Sequence, residues 1–168
     1  MSSTLAFEDT VYLLDADHKM AQKQFLDYQG LCDDGASPRA RQQLALKICE
    51  DLSVHTQIEE EIFYPAVQQT IQDDALMEEA LSEHAKAKEA IARIRAMEPT
   101  DAGYDDTVIQ LGMTIMDHVM EEREQIFLKA RYSTADLRGM VPELYARKKE
   151  LQNGKPVSVP AGKKKVTS

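Results

Sequence analysis

The sequence predicts an all-α protein: an up-down-up-down four-helix bundle with a short additional C-terminal helix and a flexible tail. Three observations carry this expectation. Apolar residues recur at steps of three and four over four long stretches, which is the period of an amphipathic helix. The breaks between those stretches are short and hold turn residues, as antiparallel neighbours need. Gly (7) and Pro (6) are few among 168 residues and Trp is absent, which favours helix over a many-stranded sheet. Residues 1–152 are expected to form the bundle, and 153–168 a flexible basic tail.

The first helix is predicted from about Thr4 to Leu31, with Val11, Leu14, His18, Ala21, Phe25 and Tyr28 on its inner stripe. Gly30 and Asp33-Asp34-Gly35 end it. Ser37 then caps the second helix, with Pro38 in its first turn. That helix carries Leu44, Ile48, Leu52, His55, Glu59, Ile62 and Ala66 inward to about Ile71, and Pro65 is expected to bend it or end it early. Asp73 or Asp74 starts the third, with Met77, Ala80, His84, Ala87, Ile91 and Ile94 on its stripe. After the break at Pro99–Gly103, the fourth runs from about Asp105 to Ala130 through Val108, Leu111, Ile115, His118, Glu122 and Ile126. A fifth, shorter helix is expected to follow Ser133-Thr134, through Leu137, Val141, Leu144 and Leu151. The tail carries Lys163-Lys164-Lys165 among Gly and Pro and has no apolar period.

A formal charge of −9, from 20 basic against 29 acidic residues, argues against nucleic acid or an anionic membrane as partner. No apolar run approaches the length of a bilayer span. Met1-Ser2-Ser3-Thr4 shows no basic stretch leading into an apolar run, so a cytoplasmic location is expected. Cys32 and Cys49 have no C-x-x-C spacing and read as two free thiols.

The chemistry lies in the histidines. There are 4, and each falls on the inner stripe of a different long helix. One histidine on an apolar face is ordinarily a satisfied core residue. Four facing one another need a partner for every ring nitrogen, which apolar neighbours cannot give and a metal can. Glu59 follows His55 by four residues and Glu122 follows His118 by four, and positions so spaced share a helix face about 5–6 Å apart at Cβ. Two buried carboxylates without cations would be very costly. At a rise of about 1.5 Å per residue, all four histidines fall within roughly one and a half turns of a common level. A nitrogen and oxygen donor set without thiolate suits Fe, Mn, Zn or Cu, and six ligands are too many for one tetrahedral zinc. Two carboxylates able to bridge, with two histidines per ion, suit a dinuclear site.

The order His18, His55-x-x-x-Glu59, Glu83-His84, His118-x-x-x-Glu122 resembles the hemerythrin-like, or HHE cation-binding, family. The run Glu59-Glu60-Glu61-Ile62-Phe63-Tyr64-Pro65 is similar to the family's continuation after its first His/Glu pair. The likeness covers about Phe7 to Ala130. It implies two non-haem iron ions, with Zn or Mn as alternatives, bridged by Glu59 and Glu122 and held at their outer sides by His18, His55, His84 and His118. It further implies a small diatomic ligand or peroxide as partner. The function expected is response to or binding of O₂, peroxide, NO or iron. The alternatives are an enzyme acting on peroxide or a small substrate, and a zinc-stapled structural module. Oxygen-carrying hemerythrins have a fifth histidine where this chain has Lys88, so the resemblance implies either a cation beside the site or an open coordination position there.

Other residues are expected to matter less. Glu60 and Glu121 read as solvated neighbours of Glu59 and Glu122. Asp17, Glu83 and Asp117 each precede a histidine and could accept a hydrogen bond from a ligand's outer nitrogen, but an adjacent helical residue is turned about 100° away, so the surface is the expected place. Tyr12, Tyr28 and Tyr64 read as core edges, and Met97, Met113, Met116 and Met120 as packing.

Overall fold

A computed structural model describes residues 9–154. Helix α1 spans Thr10–Asp33 and begins where the Asp9 carboxylate accepts a hydrogen bond from the Tyr12 N–H at 3.0 Å. The predicted start at Thr4 lies outside the described residues. Helix α2 opens as expected, with Ser37 Oγ accepting from the Ala40 N–H and Pro38 in the first turn. It runs Pro38–Ile58, widens into a π-helical turn over Glu59–Phe63, and continues as Tyr64–Ile71. Pro65 therefore does not end it. Its missing N–H and its ring fall just beyond the π turn, where the regular hydrogen-bond ladder is already interrupted.

Helix α3 spans Asp74–Ala96, capped by the Asp73 side chain on the Leu76 N–H. Helix α4 starts after Gly103, whose φ of 87° suits glycine, and runs Tyr104–Glu121, through a second π turn Glu122–Phe127, into Leu128–Arg131. α1 and α3 each pack against both α2 and α4, which closes the four-helix ring.

Helix α5, Val141–Gln152, lies against α1 and α2. It starts later than the sequence implied. Ser133 Oγ donates to the Ala130 carbonyl and accepts from the Ala135 N–H, while Asp136 accepts from the Gly139 N–H. These local bonds hold 132–140 as turns, in competition with helix. Thr10 ties the segment to α1, its N–H and hydroxyl both donating to the Leu137 carbonyl. Pro142 then sets the first turn of α5. The predicted basic tail, apart from Asn153 and Gly154, lies outside the described residues. No strand occurs among the described residues, and none of their helices is long and apolar enough to cross a membrane.

The core is divided in two. One cluster holds Leu14, Ile58, Ala80 and Ile126, and extends to Leu144 and Leu151 of α5. The other holds Ala21, Leu52, Ala87 and Ile115. On every long helix the histidine lies between a residue of the first cluster and one of the second. The four imidazoles thus form a polar layer closed by apolar packing at both ends. Met113 and Met120, expected to pack, are instead more than half exposed.

The far end of the bundle has its own polar lock. Asp105 Oδ1 accepts from the buried Tyr28 hydroxyl and from the Arg41 guanidinium, both at 2.6 Å, joining α1, α2 and α4. Burial opposes ionisation of Asp105, but these two donors outweigh it and hold the carboxyl below its usual range. A lowered acid contributes stability above its unfolded value, about 3.9, and loses it as pH falls through the folded value. Asp105→Ala is expected to cost about 1–2 kcal/mol in urea unfolding at pH 7 by leaving the Tyr28 hydroxyl unpaired. The difference from the parent should shrink below about pH 4.

Candidate metal centre

His18, His55, His84 and His118 come from α1, α2, α3 and α4 in turn, and all four are buried. Glu59 and Glu122 have no exposed surface. The structure brings these six predicted residues into one cluster. Glu59 faces both sides of it: Oε2 lies 3.3 Å from His55 Nε2, and Oε1 lies 3.2 Å from His84 Nε2. Glu122 Oε1 lies 3.0 Å from His18 Nε2 and 3.9 Å from His118 Nε2. Two overlapping groups have the proximity of a metal-ligand set: His18, His55, Glu59 and Glu122 in one, and Glu59, His84 and His118 in the other.

The inner atoms lack partners. Nε2 of His18, His55 and His118, Oε2 of Glu59 and Oε1 of Glu122 are buried without a hydrogen bond among the described residues. Buried polar atoms are ordinarily satisfied, so five orphans in one cluster mark a place for cations. The opposite ring nitrogens are all accounted for. Nδ1 of His18 meets Asp15 at 3.1 Å, that of His55 meets Asp17 at 2.8 Å, that of His84 meets Glu60 at 2.7 Å and that of His118 meets Glu83 at 2.5 Å. A carboxylate on Nδ1–H fixes the tautomer that leaves the Nε2 lone pair facing inward.

Three of these outer carboxylates are corrections to the sequence reading. Asp17, Glu60 and Glu83 were expected to meet solvent because they point away from the stripe of their own helix. That direction is sideways, toward the neighbouring helix. Asp17 on α1 serves His55 on α2, Glu60 on α2 serves His84 on α3, and Glu83 on α3 serves His118 on α4. Asp117 stays exposed, as expected, and a hydrogen bond shared with Glu83 raises the Glu121 carboxyl.

Cations back three of the four relays. Arg123 pairs with Asp15 at 2.7 Å, Lys148 with Asp17 at 2.5 Å and Lys88 with Glu60 at 2.8 Å. Lys88 is thus a cation beside the site, one carboxylate removed from His84, and its amine does not enter the cluster.

Tyr64 is the residue the sequence reading missed. Its hydroxyl donates to Glu122 Oε2 at 2.5 Å and lies 3.2 Å from Glu59 Oε1 and 3.3 Å from His84 Nε2. At 100° per residue, position 64 falls about 140° from Glu59. The π turn that begins at Glu59 brings residues five apart nearly one above the other, and so returns Tyr64 to the interior. The second π turn, beginning at Glu122, does the same for Phe127, whose ring stacks on His18 at 5.6 Å between centroids. The repeat spotted as His-x-x-x-Glu therefore extends one residue type further, with Tyr64 in one half and Phe127 in the other. Of these two aromatic residues Tyr64, beside His84, carries a hydroxyl, and Phe127, beside His18, does not.

Fold and site together define a helical-bundle protein with a buried histidine-carboxylate cluster fit for metal cations. The chain belongs to the hemerythrin HHE cation binding domain family, whose match spans residues 9–130. It is similar in fold to a hemerythrin HHE cation binding domain-containing protein of Mycobacterium kansasii, with a TM-score of 0.72 over 88% of this chain and 89% of that one, at 17% identity. It is also 28% identical over 138 residues, or 81% of its length, to a protein of Nostoc sp. named a DNA nickase. The chain spans 38% of that longer relative.

Proposed function

We propose that this chain is a non-haem di-iron protein that binds or responds to O₂, peroxide, NO or iron. The supporting observation is the pair of donor groups that share Glu59. In this reading His18 and His55 hold one ion and His84 and His118 the other, with Glu59 and Glu122 between them. Nitrogen and oxygen donors without sulfur fit iron, and the two ions when bound supply a two-electron redox centre. The protein's own part is to fix the imidazole tautomers through Asp15, Asp17, Glu60 and Glu83, and to exclude bulk water with the two apolar clusters. Tyr64 adds a proton donor, or an oxygen ligand, in one half. Its buried hydroxyl beside Glu59 and Glu122 favours a second reading, an enzyme that disposes of peroxide or oxidises a small substrate at the same centre.

Nicking of DNA is not carried over from the Nostoc relative. The likeness spans a minor part of that protein, and this chain bears a charge of −9. No nucleic acid and no membrane partner belong to the proposal, and a cytoplasmic setting is part of it.

Anaerobic loading with ferrous iron followed by elemental analysis tests the main reading. The result expected is about two irons per chain, in line with a carboxylate- and histidine-lined bundle core. One zinc per chain, unmoved by that treatment, would overturn it. Turnover of peroxide well above that of a protein lacking the histidines would favour the second reading over the first.

A further inference from the structure

A cavity of about 360 Å³ opens from the surface onto the histidine cluster, with His18 and His55 on its floor. That is far more than a diatomic molecule or peroxide needs. A dry cavity of roughly 150 Å³ accepts a benzene molecule, and a water takes roughly 30 Å³. The walls of this cavity are apolar, from Ala21 of α1, Leu52 of α2, and Ile115 and Val119 of α4.

The charges at the mouth are already matched. Lys47 pairs with Asp51 at 2.9 Å, Asp51 also accepts from Gln24, and Lys148 pairs with Asp17. A charged head group would have to break one of these pairs to gain a partner, whereas a neutral molecule would not. The inner end is closed by the His18 and His55 rings, whose Nε2 atoms are buried within the cluster. Part of the rim, Lys148 and Gln152, comes from α5, which lies beyond the segment matched by the family.

From this geometry we infer that the cavity binds a small neutral organic molecule with a largely apolar body, such as an alcohol or a phenol, seated between these walls and the His18 and His55 rings. The inference rests on the proposed metal centre only for what the bound molecule meets at the inner end.

The test uses cumyl alcohol and 4-ethylphenol as probes, with benzoate as the charged comparator, on the full chain in metal-free and zinc-loaded form. Calorimetry gives affinities and methyl NMR gives the location. The hydroxyl probes are expected to bind at least tenfold more tightly than benzoate and to shift the methyl signals of Ala21, Leu52, Ile115 and Val119. Ala21→Phe, which fills the cavity, should weaken binding at least tenfold with metal content unchanged. Should that variant fail to fold, Leu52→Ala enlarges the same wall and should improve binding of a bulkier alcohol relative to 4-ethylphenol. Absence of binding, equal or tighter binding of benzoate, or shifts confined to another surface would overturn the inference. Failure of the metal-centre reading would show separately, as wrong metal content in protein that still binds the probes.

Discussion

Glu59→Ala is expected to empty both halves of the centre, taking metal content from about two ions per chain to near none. Glu59 is the one residue common to both donor groups, with one oxygen toward His55 and the other toward His84. Its carboxyl is held well below the usual range: burial opposes ionisation, and the neighbouring His55 and His84 outweigh burial. It therefore enters the centre as an anion and offsets charge on both ions. Without it, four imidazoles and a single carboxylate would face the full cationic charge in a buried layer. Glu60→Gln removes only the acceptor on His84 Nδ1 and the partner of Lys88. An outer partner of that kind is ordinarily worth about 10–100-fold in metal affinity, so this variant should lose the ion beside His84 on dilution and retain the other. Elemental analysis after gel filtration, on protein loaded identically, measures both. Equal damage from the two substitutions would show that Glu59 does not join the halves.

The contrast between Glu59 and Glu60 also shows how far the sequence was legible. The four histidines and the two inner glutamates stand on 3.6-residue stripes, and a regular helix is all that is needed to place them together. Ser37, Pro38, Asp73 and Gly103 announce helix ends through local chemistry, and each does so in the structure. What could not be read depends on departures from the regular helix or on neighbouring helices. Tyr64 reaches the cluster only because the turn after Glu59 is a π turn, and a stripe drawn at 100° per residue puts it elsewhere. Asp17, Glu60 and Glu83 lie off-stripe on their own helices and become partners only once the adjacent helix is present. One signal was available for Tyr64: the second His-x-x-x-Glu motif also has an aromatic residue five positions on, Phe127. The late start of α5 follows from bonds to Ser133, Asp136 and Thr10, of which the last is remote in sequence.

In the metal-free protein, protons take the place that the ions are proposed to fill, and the pH dependence of metal binding should reveal it. Burial pushes every imidazole of the cluster down. For His84 the hydrogen bonds to Glu59 and Glu60 outweigh burial and raise it to about 9. His18 is raised by Asp15 and Glu122, and His55 well above the ordinary value by Glu59 and Asp17. His118 goes the other way, lowered by burial and by the neighbouring His84 and His55. Three imidazoles are therefore biased toward the protonated form, and ligation requires all of them neutral. Metal loading near pH 6.5 should release more than one proton per chain, measurable by calorimetry in buffers of different ionisation enthalpy. Metal affinity should then climb steadily as pH rises from about 6.5. The sign for stability is opposite in the two forms. A group whose folded value is raised contributes fully below its unfolded value, about 6.5, and loses that contribution as pH rises through the folded one. The metal-free protein should accordingly melt at a lower temperature at pH 9 than at pH 6.5, while the loaded protein, tightening its hold on the ions, should melt at a higher one. A release of fewer than one proton, or a metal-free protein that gains stability from pH 6.5 to 9, would show that protons do not compete for these histidines.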